Sequence, residues 1–328
     1  MTTPTPRPQG PERPVDPSTA PWAAEYPFAP NWLDVTANGS PLWMHYLDEG
    51  PKDSDAPALL FLHGNPTWSF IWRKPISALS DRFRCIAPDH MGMGLSDRPY
   101  PWTYTLSAHA DNVERLLDHL GVKRFVVVAH DWGGMIGMTV ATRRPEAFAG
   151  GVVMNTAAFL GKLPPSIQTV RIPVFGKAAV LGLNAFARAA VLRCVAHKDK
   201  MTPALKDAYL APYGTPRDRI ATLKFVEDVP QKASHPTWDV VVDTDKKLKE
   251  IKDRPMLVLW GEKDWCFTPL FREAWLRRFP DAAVEVYEDA SHYVFEDAGD
   301  RVVSAMDRFL TKQFLSELPT LPPVEAAS

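Results

Sequence analysis

The run Phe125-Val126-Val127-Val128-Ala129 has no polar face. A strand with water on one side alternates apolar and polar residues, whereas a continuous apolar run is the mark of a strand covered on both faces. The same mark recurs at Ala58–Leu62 (ALLFL), Gly150–Met154 (GGVVM) and Pro255–Trp260 (PMLVLW). Shorter runs stand at Phe83–Ala87 and Val284–Tyr287. Helical spacing separates them, over Trp68–Leu79, Leu106–Leu120, Ile136–Thr142, Leu270–Phe279 and Val302–Phe314. Trp32–Val35 and Pro41–Leu47, with Asn38-Gly39 as the turn, predict an antiparallel opening. The rhythm stops after Asn155, turns helical through Thr156–Asp239 with Pro164-Pro165, Pro173 and Pro212 as punctuation, and then resumes. The expected architecture is α/β: a mostly parallel, eight-stranded sheet with helices on both faces and a helical cap inserted after the sixth strand. The expected division is a core of residues 28–155 and 240–315, a cap of 156–239, and disordered tails at 1–27 and 316–328. Nine of the 32 prolines fall in the first 30 residues, and such a segment offers little apolar surface to bury.

Charge excludes one class of partner. Among 328 residues, Lys and Arg number 37 and Asp and Glu 39, a formal net charge of −2, which supplies no basic footprint for nucleic acid. No uninterrupted apolar stretch reaches the roughly 18 residues of a spanning helix, so no transmembrane segment is expected. The N-terminus lacks the basic and apolar regions of a secretory signal. Cys85, Cys194 and Cys266 are too few and scattered for a disulfide framework or a zinc site. They read as buried thiols of a cytoplasmic protein.

Chemistry concentrates at strand ends. Ala129-His130-Asp131-Trp132-Gly133 is small–X–nucleophile–X–small at a strand-to-helix junction, where larger flanking side chains collide across the abrupt turn. Asp131 stands where such elbows usually carry Ser. A carboxylate is ionised at neutral pH and attacks without a base. An Asp before a helix also caps it, so the elbow alone is ambiguous. Asp264 follows the strand ending at Trp260, and His292 follows the strand ending at Tyr287. The chain order nucleophile, acid, histidine is that of hydrolase triads. Asp264 would orient the His292 ring, and His292 would accept a proton from water. His63-Gly64-Asn65-Pro66 follows another strand end, where the residue after His-Gly and the residue after the nucleophile supply oxyanion N–H groups. The Asn65 amide and the Trp132 indole add two neutral donors suited to a leaving anion. His130 is expected to face the core and His90 to shape a loop. Glu296 and Asp297 are expected to start the last helix, and Tyr209 and Tyr213 to pack in the cap.

These residues together resemble the α/β-hydrolase superfamily, in its haloalkane dehalogenase and epoxide hydrolase branch. HDWGG at His130–Gly134 and HGNPT at His63–Thr67 are similar to haloalkane dehalogenases; epoxide hydrolases usually carry an aromatic residue where Asn65 stands. One dehalogenase subgroup places a Glu after the sixth strand. Asn155-Thr156 departs from that pattern, so the resemblance is to the third subgroup, with Asp264 as the acid. NTAAF at 155–159, NAFARAA at 184–190, Ala211-Pro212-Tyr213, RIATLKFVEDVP at 219–230 and WCFT at 265–268 resemble the cis-β-lactone decarboxylases of bacterial olefin biosynthesis. That resemblance implies decarboxylation of a cis-3,4-dialkyl β-lactone to a cis-alkene, with hydrolytic dehalogenation as the alternative and epoxide hydrolysis a weaker one. It implies Asp131, His292 and Asp264 as catalytic residues, with Asn65 and Trp132 holding the leaving anion. It also implies an apolar small-molecule substrate, no cofactor or metal, and an assembly with other olefin-pathway enzymes. Ala178–Leu192 reads equally as a packed helix, a wall for alkyl chains, or a face for docking to a membrane or partner enzyme.

Overall fold

The computed structural model describes residues 16–36, 39 and 41–315. Its strands are β1 (Asn31–Asp34), β2 (Trp43–Glu49), β3 (Ala58–Leu62), β4 (Cys85–Pro88), β5 (Phe125–Asp131), β6 (Phe148–Thr156), β7 (Met256–Gly261) and β8 (Ala283–Tyr287). They form one sheet in the order β1-β2-β4-β3-β5-β6-β7-β8. β2 is antiparallel to β1 and β4, and the remaining pairs are parallel. Six helices of four to nine residues between Pro165 and Glu227, then the helix Trp238–Lys247, separate β6 from β7. Asn38 of the expected turn lies outside the described residues; Gly39 has φ +88°.

The apolar runs behave as double-faced strands. Val126, Val128, Val152, Met154, Leu257 and Leu259 pack into one apolar layer, with the helices Arg73–Leu79 and Gly299–Phe314. Val127, Ala129, Val153, Val258 and Trp260 enter the opposite layer, with the helices Leu106–His119, Trp132–Arg143 and Pro269–Arg278. Alternate side chains leave a strand on opposite sides, so an apolar residue at every position feeds two cores at once.

The expected disorder through residue 27 is corrected in its second half. Residues 1–15 and 316–328 lie outside the described residues, but Asp16–Pro27 is packed on the body. Trp22 and Tyr26 are buried, with ring centroids 5.5 and 5.1 Å from Trp68. Tyr26 Oη and Ser69 Oγ are 2.6 Å apart. Local composition missed this because the aromatic partners lie more than forty residues downstream.

Candidate active site

Each parallel strand delivers one group at its C-terminal end, where crossover connections leave a crevice. Asp131 closes β5 with φ 52° and ψ −125°, a backbone conformation L residues rarely adopt. The turn survives because Gly133 has no Cβ to strike the Leu62 carbonyl, and Gly64 has none to strike the Asp131 side chain. The Thr156 hydroxyl donates to the Asp131 carbonyl.

The structure brings the three expected groups together. His292 Nδ1 is 2.7 Å from Asp264 Oδ2, and His292 Nε2 is 3.8 Å from Asp131 Oδ2. The other Asp131 oxygen, Oδ1, accepts from Asn65 N–H at 2.7 Å, and Trp132 N–H also donates to the carboxylate. Both expected oxyanion donors thus hold the Asp131 carboxylate itself, which leaves Oδ2 as the oxygen nearer the imidazole. Asn65 Nδ2 donates to the Thr222 carbonyl at 3.0 Å, and a carbonyl partner fixes which end of the amide is nitrogen. Asn65 Oδ1 is buried without a partner among the described residues. Trp132 sets its ring edge-to-face with Phe225, 5.2 Å between centroids.

The sequence reading noted Asn155 only as a departure from the subgroup with a Glu after this strand and gave it no role. In the β5–β6 ladder His130 pairs with Met154 and Asp131 with Thr156, so Asn155 bulges out, at φ 39°. Its Oδ1 accepts from Gly261 N–H at 2.9 Å; its Nδ2 donates to Gly261 O at 3.0 Å and to Asp264 Oδ2 at 2.9 Å. Asp264 Oδ1 accepts from Cys266 N–H at 2.6 Å. Phe267 stacks on the His292 ring, 5.7 Å between centroids and 9° between planes.

The other candidates hold the frame. His130 Nε2 donates to the His292 carbonyl at 2.9 Å, and His63 Nε2 accepts from His90 N–H at 3.0 Å. Tyr209 and Tyr213 donate to Glu296 and to the Thr67 carbonyl, away from Asp131. Glu296 and Asp297 do more than open a helix. Glu296 pairs with Arg73, and buried Asp297 accepts from the N–H groups of Ala196, His197 and Ser291. The sequence gives no sign of this, because the donors are distant backbone groups.

Two apolar pockets branch from Asp131 and Trp132, which line both. The larger branch, about 400 Å³, reaches Asn65 and His292 and runs under the cap past Ile167, Val170, Val180 and Phe186. The smaller, about 90 Å³, passes Met135, Ala157, Phe159 and Phe271. Leu163, Val229, Cys266 and Phe267 line both.

Residues 57–299 match the family model described as the alpha/beta hydrolase fold. The chain belongs to the α/β-hydrolase family. Within it this hydrolase is haloalkane dehalogenase-like. It is 39% identical over 301 residues to a cis-3-alkyl-4-alkyloxetan-2-one decarboxylase of Xanthomonas campestris, covering 88% of this chain and 97% of that one. It is 33% identical over 302 residues to haloalkane dehalogenase 2 of Mycobacterium bovis, covering 87% and 96%. The crystal structure of haloalkane dehalogenase DbeA from Bradyrhizobium elkani superposes with a TM-score of 0.77 at 26% identity, covering 86% of this chain and 98% of that chain.

Electrostatics couples the three groups of this α/β-hydrolase. Burial raises the Asp131 carboxyl, against the lowering effects of His292 and of the Asn65 and Trp132 N–H groups. Burial alone would lower His292, but the Asp264 charge and hydrogen bond, helped by Asp131, outweigh it and raise the ring above 6.5. That raised value adds stability below pH 6.5, which fades as pH climbs through the folded value. Asp264→Asn removes the main raising cause and leaves burial to dominate. The His292 midpoint, followed by NMR titration of the imidazole, is expected to fall. An unmoved midpoint would show that Asp264 does not set it.

Proposed function

We propose that this α/β-hydrolase is a cis-3-alkyl-4-alkyl β-lactone decarboxylase with Asp131 as nucleophile. The observation that carries the reading is the fork. A carboxylate stands where two apolar branches of unequal volume meet, and a β-lactone with alkyl groups on adjacent ring carbons places one chain in each. The 39% identity to a protein named for that reaction supports the same choice.

The chemistry balances within the residues present. Asp131 Oδ2 attacks the ring carbon bearing oxygen from the back. The C–O bond breaks, and its electron pair leaves on the lactone carboxylate, held by the Asn65 amide and the Trp132 indole. The product is an alkyl ester of Asp131 with a free carboxylate on the neighbouring carbon, anti to the ester. Loss of carbon dioxide sends the C–C pair into the new double bond and expels the Asp131 carboxylate. Inversion followed by anti elimination keeps two cis substituents cis. Asp131 is regenerated without water. The His292 imidazolium, stabilised by Asp264, faces the Asp131 carboxylate before attack and again as it is expelled; in the ester between them the negative charge lies on the substrate carboxylate.

Hydrolytic dehalogenation is the second reading, favoured by Asn65 and Trp132 beside Asp131 and by the dehalogenase relatives. There His292 would take a proton from water to cleave the ester. Incubation with a synthetic cis-3,4-dialkyl β-lactone and, separately, with 1,2-dibromoethane divides the two. Gas chromatography is expected to show cis-alkene matching the lactone consumed. Halide release without alkene would overturn the decarboxylase reading, and a trans-alkene would overturn the back-side route.

A further inference from the structure

We infer that the outer face of the cap, residues 160–193, docks on an anionic lipid surface. The exposed large apolar side chains of the described residues are concentrated here: Leu160, Ile172, Val174, Phe175, Leu183 and Leu192 all belong to this stretch. Val174 and Leu183 are 82% and 71% exposed, protruding rather than forming a groove. Monomeric surfaces rarely cluster such residues without a partner.

Charge selects the partner. From Thr156 to Lys198 there is no Asp or Glu, but there are six cations, Lys162, Arg171, Lys177, Arg188, Arg193 and Lys198, in a chain of net charge −2. Arg171 and Lys198 are turned onto backbone carbonyls, and Arg193 lies over the Trp265 ring. Lys177 and Arg188 are exposed and have no ion pair among the described residues. Protruding apolar side chains mixed with cations suit headgroups of one sign above an acyl layer. A protein surface of mixed charge would leave these cations poorly matched.

Geometry sets the depth. Pro173–Gly182 and Ala185–Arg193 form a continuous apolar pair bent by 74°. Arg219 Nη1 donates to Leu181 O at 2.6 Å, and Asn184 Nδ2 to Tyr213 O at 3.2 Å, pinning the bend. Each arm is about 15 Å long, half of a ~30 Å hydrocarbon core. Their inner residues Val180, Ala187, Ala190 and Val191 are buried against the protein. The pair therefore lies in the plane of the interface rather than crossing it. Phe175, Ala189 and Arg193 are exposed and also line the larger branch, so the cavity opens on this face. Docking rests on this surface alone; that it admits a lipid-like substrate from the membrane rests on the β-lactone reading.

The test is co-sedimentation of the full chain with vesicles of phosphatidylcholine alone and of phosphatidylcholine with 30% phosphatidylglycerol. Binding is expected to the anionic vesicles and to weaken at least about tenfold between 0.1 and 0.5 M salt. K177E/R188E is expected to lower partitioning by more than about thirtyfold, the loss expected from removing two cations near a charged surface, because the new carboxylates are also repelled. V174S/L183S is expected to weaken binding at both salt concentrations. None of the four residues lines the cavity, so both variants should melt like the parent and turn over a short, water-soluble substrate unchanged. Sedimentation needs no turnover, so loss of the decarboxylase reading would leave the result standing. The inference is overturned if neither vesicle pellets the protein or if the charge-reversed pair binds as the parent does. It is also overturned if the patch instead mediates a dimer that V174S/L183S dissolves.

Discussion

Asp131→Asn is expected to lower turnover by at least about four orders of magnitude while the fold persists. The amide keeps an oxygen to accept from Asn65 and Trp132 N–H groups, and Asn tolerates positive φ better than other replacements. What it loses is the attacking electron pair. Stability should move the other way. Burial raises the Asp131 carboxyl, so the folded state prefers the protonated acid and ionisation weakens the fold. A neutral amide escapes that penalty. The variant should melt above the parent at pH 7, and the gap should close as pH falls to the ordinary carboxylate range. Calorimetry beside a product assay reads both effects. Retained turnover would remove Asp131 as nucleophile; a lower melting point at neutral pH would show that its charge supports the fold.

The second large effect concerns Arg73. Its Nη1 and Nη2 donate to the two Glu296 oxygens at 2.6 and 3.0 Å, and its Nε donates to Glu25 at 2.9 Å. Tyr209 donates to Glu296 at 2.5 Å. Arg73 and Glu296 are nearly inaccessible to water. Arg73→Leu leaves the Glu296 carboxylate buried with one neutral donor, and breaking such a pair costs about 3–5 kcal/mol. For a chain this size the melting temperature should fall by about 10 °C. Replacing both partners, Arg73→Leu with Glu296→Leu, should recover much of the loss, because the uncompensated charge goes with its partner. A single variant as stable as the parent would mean that water reaches Glu296.

The sequence revealed what is local. Asp131 announced itself because the elbow needs small residues within two positions of it. Asp264 and His292 were legible because each closes a short apolar run, and strand ends in a parallel sheet converge. Asn155 was not legible. Its importance comes from a bulge that turns its amide toward Gly261 and Asp264, more than a hundred residues away. Trp22 and Tyr26 were hidden by the prolines around them, since nothing nearby shows that Trp68 and Phe70 wait to receive them. Glu296 and Asp297 looked like ordinary helix-start acids, and only the folded chain supplies Arg73 and the backbone donors of the cap.

Asp297 has a mechanical consequence. One carboxylate grips Ala196 and His197, in the connection between the cap helices Ala185–Arg193 and Pro203–Leu210, and Ser291, the neighbour of His292. Tyr293 N–H, just beyond, donates to the Cys194 carbonyl at 2.7 Å. The lid is thus bolted beside the imidazole and cannot swing there without dragging it.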